Sequence, residues 1–207
     1  MKHVIITILI VFPLGLFAQE KDSLLKKDIN EIVEILEFMY EYDQALREYT
    51  VYKTFDKSET NRIENLPDSL LRIENETRQF ESDTISKYIW ANYINPMDAM
   101  HTRNLIEITK KYGFPTKKRM KRYYNKEFSN PEFSPLLIFI HSPKNYWNEV
   151  ELLMTNEYNE GRIDRCTYGY LKWHVNGRND MKHFLENGYK FVEDENGNKN
   201  LRPVDCN

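Results

Sequence analysis

Glycine is scarce in this chain, with 7 in 207 residues, and that scarcity removes several functional classes. Phosphate-cradling loops need two or three glycines close together, and neither G-x-G-x-x-G nor a Walker loop occurs. The nucleophile elbow G-x-S-x-G and the metalloprotease pair H-E-x-x-H are absent as well. Cysteine is rarer still, with Cys166 and Cys206 only. Neither has a second cysteine or a histidine at ligand spacing, so no metal site is expected. The two could close a disulfide or stay separate thiols. The sequence leaves both open, because Cys206 is the penultimate residue, where chain ends fray. No apolar run reaches the roughly 20 residues that a membrane-spanning helix needs.

What is present starts at the N-terminus. Lys2 and His3 precede an uncharged apolar run from Val4 to Phe17, and Ala18-Gln19 leads into Glu20-Lys21-Asp22. That layout is expected of a secretory signal peptide over residues 1–19, which places residues 20–207 in the periplasm or outside the cell; the alternative is an uncleaved N-terminal anchor helix. No cysteine follows the run, so a lipid anchor is not expected. The remainder has the length of one domain with a substantial core. The formal net charge of −3 hides an asymmetry. The segment 110–126, KKYGFPTKKRMKRYYNK, holds eight basic residues and no acid.

Periodicity reads as mainly α. Residues 22–55 carry Leu25, Ile29, Ile32, Ile35, Leu36, Met39, Ala45 and Leu46 at helical spacing, which predicts one long amphipathic helix. Residues 58–66 read as a polar loop, 67–80 as a helix, and a further helix starts near Ser82. Over 96–112, Asn95 can cap, Pro96 suits a first turn, and Gly113 followed by Pro115 marks the end. Residues 136–141 form a short apolar helix; 144–161 and 162–175 predict two more. Asn196-Gly197 lies between two β-prone stretches, which predicts a hairpin near 189–204. The expected fold is a compact single-domain, bundle-like helical structure with a small C-terminal β-hairpin.

Three constellations could carry chemistry. Asp43, Gln44 and Arg47 share a helix face, giving either an ordinary helical ion pair or an arginine oriented for an anionic ligand. Asp98 and His101, three apart, could form an acid–base pair, although Asp98 also suits the positive end of a helix dipole. His141 closes the run Leu136-Leu137-Ile138-Phe139-Ile140, where it is either a core histidine bonded to backbone or a general base beside a cleft. The basic segment offers Lys117, Lys118, Arg119, Lys121 and Arg122, with Tyr123 and Tyr124, as a face for anionic surfaces. A solvated helix without a partner explains the same residues.

Together these pieces resemble a bacterial domain family of unknown function. The matching residues are Asp43-Gln44-Ala45-Leu46-Arg47, Asp98, Tyr112-Gly113-Phe114-Pro115, His141 and the Tyr170-Leu171 step, covering about 36–205. The chain departs from the family where Ile140 replaces a glutamine before the histidine and Trp173-His174 replaces Asp-Arg. A terminal Gln-Tyr-Gly-Thr-Gln-like segment is not recognisable. The resemblance supplies no reaction and no cofactor.

The leading expectation is an exported helical domain that binds an anionic small molecule, a glycan or a membrane surface through Gln44, Arg47, His101, Tyr170 and the His141 region. Nucleic acid is not an expected partner. One alternative is a hydrolase-like enzyme with His141 as general base and Asp43 or Asp98 as orienting acid. Another is an adhesion module docking anionic surfaces through 110–126.

Overall fold

In α1 (Leu14–Tyr52), Leu25, Ile29, Ile32, Leu36 and Met39 fall on one stripe and are almost fully buried. Asp43 is the next position on that stripe, so the register that builds the core also carries a carboxylate inside. Ile35, expected on the inner face, points outward and is 46% exposed. The fold is that of a computed structural model that describes residues 14–195 and 197–207. The signal-peptide reading covers residues 1–19, of which 1–13 lie outside the described residues and 14–19 belong to the start of α1. No helix among the described residues is long and apolar enough to cross a membrane.

The segment expected as a polar loop at 58–66 is instead mostly helical. Asp56 accepts the backbone N–H of Ser58 and Glu59 and so starts α2 (Lys57–Glu64); an aspartate with free amides just after it is a strong helix initiator. There follow α3 (Asp68–Thr77) and α4 (Asp83–Ile89). Asn95 and Pro96 do not begin a helix, contrary to expectation. A π-helical turn, Trp90–Ile94, joins α4 directly to α5 (Asn95–Tyr112), with Asn95 N–H bonded to Trp90 C=O five residues back. Proline inside an α-helix clashes with the carbonyl four residues earlier. The wider turn lets the helix pass through Pro96 unbroken.

Along α5 the buried face reads Asp98, His101, Thr102, Leu105, Ile106, Thr109 and Tyr112. α5 lies antiparallel against α1: Tyr112 bonds Asp28 near one end, and Asp98 meets Arg47 near the other. The seam is therefore apolar over most of its length and charged at its Arg47 end.

Beyond α5, Gly113 adopts φ +72° and ψ 159°, a region essentially reserved for glycine. A Cβ there would stand 2.6 Å from Arg162 Cδ. Phe114 then enters the core and stacks on Phe139 of α7 (Leu136–Ile140). α6 (Lys117–Met120) is capped by Thr116. A 3-10 turn, Lys144–Tyr146, leads into α8 (Trp147–Asn159), and Asp164 caps α9 (Arg165–Val175). After α10 (Lys182–Leu185) come β1 (Tyr189–Glu193) and β2 (Lys199–Pro203), antiparallel, with Tyr189 opposite Pro203. The fold is mainly α with this one small hairpin. Cys166 and Cys206 form a disulfide, fastening the C-terminus to the first turn of α9.

Candidate functional site

The charged end of the α1–α5 seam meets the C-terminal end of α7, and five of the residues singled out in the sequence converge there. Asp43 reaches His141 Nδ1 with both carboxylate oxygens, at 2.9 and 3.1 Å. Arg47, one turn on, donates from Nε to Asp43 Oδ1 at 3.1 Å and from Nη2 to Asp98 Oδ1 at 2.6 Å. Its Nε also stands 3.1 Å from His141 Nδ1. Gln44 donates to the second Asp43 oxygen at 2.7 Å. Trp90, on the π turn, lies flat enough to Arg47 for the guanidinium carbon to sit 5.2 Å from the ring centre.

These contacts determine where protons sit. The two Asp43 oxygens at His141 Nδ1 favour the tautomer in which that nitrogen carries the proton and donates to the carboxylate, over the one in which it accepts from Arg47 Nε. In neutral imidazole the lone pair is then on Nε2, which no described residue engages. Burial raises the Asp43 pKa, but the bonds from His141 and Arg47 outweigh it and hold the carboxyl below its ordinary range. Asp98 shows the opposite balance: burial pushes it up to about 6 despite Arg47. Two carboxylates bound to one guanidinium thus have divergent proton affinities, a recurring property of acid–base sites.

His101 is buried against Tyr42 in an edge-to-face ring contact, and burial lowers its pKa. It belongs to the inner wall next to Asp43. A residue the sequence did not assign to the site, His174, packs behind His141. Arg178 donates to its Nδ1 at 2.9 Å and to the Ile140 carbonyl at 2.9 Å. Trp147 touches the His174 ring and donates to the Ser142 carbonyl. Burial and Arg178 depress the His174 pKa to about 4. Trp90 was missed as well, because reading Pro96 as a helix start hid the continuous rod that carries Trp90 toward Asp98.

Two expected placements are corrected. Tyr170 stacks with Trp173 and Phe184 in an aromatic cluster between α9 and α10 and makes no hydrogen bond or ring contact with Asp43, Arg47 or His141. Arg119 is not a surface cation. It is 3% exposed and donates to the carbonyls of Tyr112 and Phe114 at 2.9 and 2.8 Å, while also pairing with Asp22. Its job is to hold the Tyr-Gly-Phe-Pro turn. Several neighbouring bases are already engaged: Lys110 pairs with Glu107 and Glu149, Lys121 pairs with Glu127, and Lys117 donates to the Pro131 carbonyl. Arg122 sits 3.9 Å from Asp22. A cleft of about 740 Å³ opens beside Lys118, Arg119 and Arg122, on the Arg162 side of the molecule, and does not include Arg47 or His141.

Among the described residues, the one group of three or more side chains with metal-ligand geometry is Asp164 with Cys166 and Cys206, whose sulfurs are already joined in the disulfide. Comparisons with family models, with curated proteins and with solved structures give no match.

Proposed function

We propose that the chain is an exported helical hydrolase in which His141 is the general base. The contact that carries this reading is Asp43 to His141 Nδ1 at 2.9 Å, which orients the ring and leaves Nε2 to accept a proton. His141 is the more open member of the pair, its side chain 22% exposed against 5% for Asp43, as expected of a base facing substrate and a carboxylate behind it. Nε2 takes a proton from water as the water oxygen adds to an ester carbonyl carbon. The tetrahedral intermediate collapses with cleavage of the C–O bond. The imidazolium returns its proton to the leaving alkoxide, giving a carboxylic acid and an alcohol. Arg47 Nη1, the arm not bonded to either aspartate, supplies positive charge beside the developing oxyanion. Gln44 and Asp98 position Asp43 and Arg47.

Export is supported by residues 1–19 and by the disulfide, a bond that persists in oxidising compartments. The residues that carry the resemblance to the bacterial family of unknown function, Asp43, Arg47, Asp98 and His141, are the ones that meet in this site. Docking on an anionic surface has weaker support, because Arg119 is buried and most of its basic neighbours already have partners.

Hydrolysis of p-nitrophenyl acetate by the chain and by H141A, H141Q and D43N tests the reading. General-base catalysis typically contributes about 10²–10⁴-fold, so H141A and H141Q should each lose at least about 10² in kcat/KM. D43N should fall almost as far through loss of the oriented tautomer. Melting curves confirm that each variant folds. Folded H141A that hydrolyses at the parent rate overturns the proposal.

A further inference from the structure

Next to the Asp43–His141 pair the π turn leaves large rings in solvent. Tyr88 is 57%, Trp90 38% and Tyr93 48% exposed. Tyr88 and Tyr93 are five residues apart, a spacing that in a regular α-helix splays side chains by about 140°. Here their ring centres are 6.1 Å apart in an edge-to-face pair, because the π turn between them holds an extra residue. That wider turn accommodates Pro96 without breaking the rod. The turn thus assembles an aromatic strip and sets its Trp90 end on Arg47, the residue that contacts both Asp43 and His141.

From this strip we infer that the substrate is a carbohydrate, and that Trp90, Tyr93 and Tyr88 form a sugar-stacking platform leading to His141. The inference rests on the hydrolase reading and names the substrate class of the same site. The exposed groups are aromatic and carry polar edges, the indole N–H and two phenol hydroxyls. Asn92, whose Nδ2 donates to the Tyr88 carbonyl, is exposed on the same turn, and Asn95 is exposed just after it. A pyranose presents C–H bonds on its faces and hydroxyls around its rim, so its faces match the rings while its rim matches the amides and hydroxyls. Local π turns occur often at functional sites because they re-aim side chains in this way. With the base chemistry above, the scissile bond is an ester carried on the sugar.

The test separates binding from turnover by using the full chain bearing H141A. Calorimetric titration with O-acetylated xylohexaose, xylohexaose and chitohexaose should show binding of at least one sugar. Adding W90A or Y93A should raise Kd about tenfold, the equivalent of one lost stacking contact of about 1.4 kcal/mol. Y93F, which keeps the ring, should bind within about twofold of its parent by the same reckoning. Three outcomes overturn the inference: no sugar binds, W90A and Y93A bind as tightly as the parent, or sedimentation shows a dimer that Y93A dissociates, which would make the strip a self-association face. Because the base is absent throughout, failure of the ester chemistry does not alter this result. Loss of sugar binding likewise leaves the p-nitrophenyl acetate test standing.

Discussion

Asp98 and His174 pull the stability of the fold in opposite directions over one pH interval. Asp98 titrates at about 6 when folded, against an ordinary 3.8. The folded state holds that proton more tightly than the unfolded chain, so its stabilisation is complete below about pH 4 and is lost as pH rises through 6. His174 titrates at about 4 against 6.5. The unfolded chain holds that proton more tightly, so stability increases as pH climbs from about 4 to 6.5. At 1.36 kcal/mol per pKa unit, each effect amounts to about 3 kcal/mol. His101, also depressed by burial, acts in the same direction as His174. The parent protein should therefore show only a shallow rise in melting temperature between about pH 4 and 7. D98N keeps an oxygen that can accept from Arg47 but cannot ionise. Its melting temperature should climb with pH through this window and exceed the parent's at pH 8 by up to about 3 kcal/mol, roughly 6–12 °C for a domain of this size. H174Q should show the reverse, with melting temperature falling between about pH 4 and 7. Scanning calorimetry of the three proteins across this range is the assay. A D98N protein that melts below the parent at pH 8, on a parallel pH curve, would mean that Asp98 is ionised throughout and that Arg47 outweighs burial.

Three further outcomes test the scaffold. Replacing both Cys166 and Cys206 by serine should cost about 4 kcal/mol in the chain-entropy model for a bridge spanning 40 residues, read as a lower urea midpoint that matches the reduced parent. G113A should lose more than about 2 kcal/mol, since it combines a positive φ at extended ψ with a clash against Arg162; equal stability in urea would refute the close approach. R119A should lose about 3 kcal/mol or more by stranding two buried carbonyls and Asp22, while K118A should stay within about 0.5 kcal/mol, so equal losses in the two would contradict the burial difference.

Legibility in the sequence followed from what periodicity encodes. The α1 stripe is visible because Leu25, Ile29, Ile32, Leu36 and Met39 obey a helical period, and extending that period by one step finds Asp43. His141 could be placed at the edge of the core from the apolar run before it. Its meeting with Asp43 could not, because the two are 98 positions apart and only the packing of α7 on α1 joins them. Arg119 was misjudged because a run of cations looks uniformly solvated, while the need for a donor comes from the carbonyls of Tyr112 and Phe114, which composition does not reveal. Pro96 was misjudged for a related reason. A proline is compatible with a helix start or with a helix that widens just before it, and the choice depends on the surroundings of Trp90–Ile94. The polarity of residues 58–66 suggests a loop, although Asp56 followed by Ser58 and Glu59 is a helix-start signal.

The bond between Cys166 and Cys206 also decides how the molecule bears load. Force applied at the C-terminus passes through the sulfur bridge directly into the first turn of α9, where Arg165 N–H also holds the Cys206 carbonyl. α10 and both strands of the hairpin lie inside the covalent loop, bypassed by the tension. A protein tethered by its tail would keep its hairpin unstretched until the bridge is reduced, and would lengthen by the enclosed segment only then.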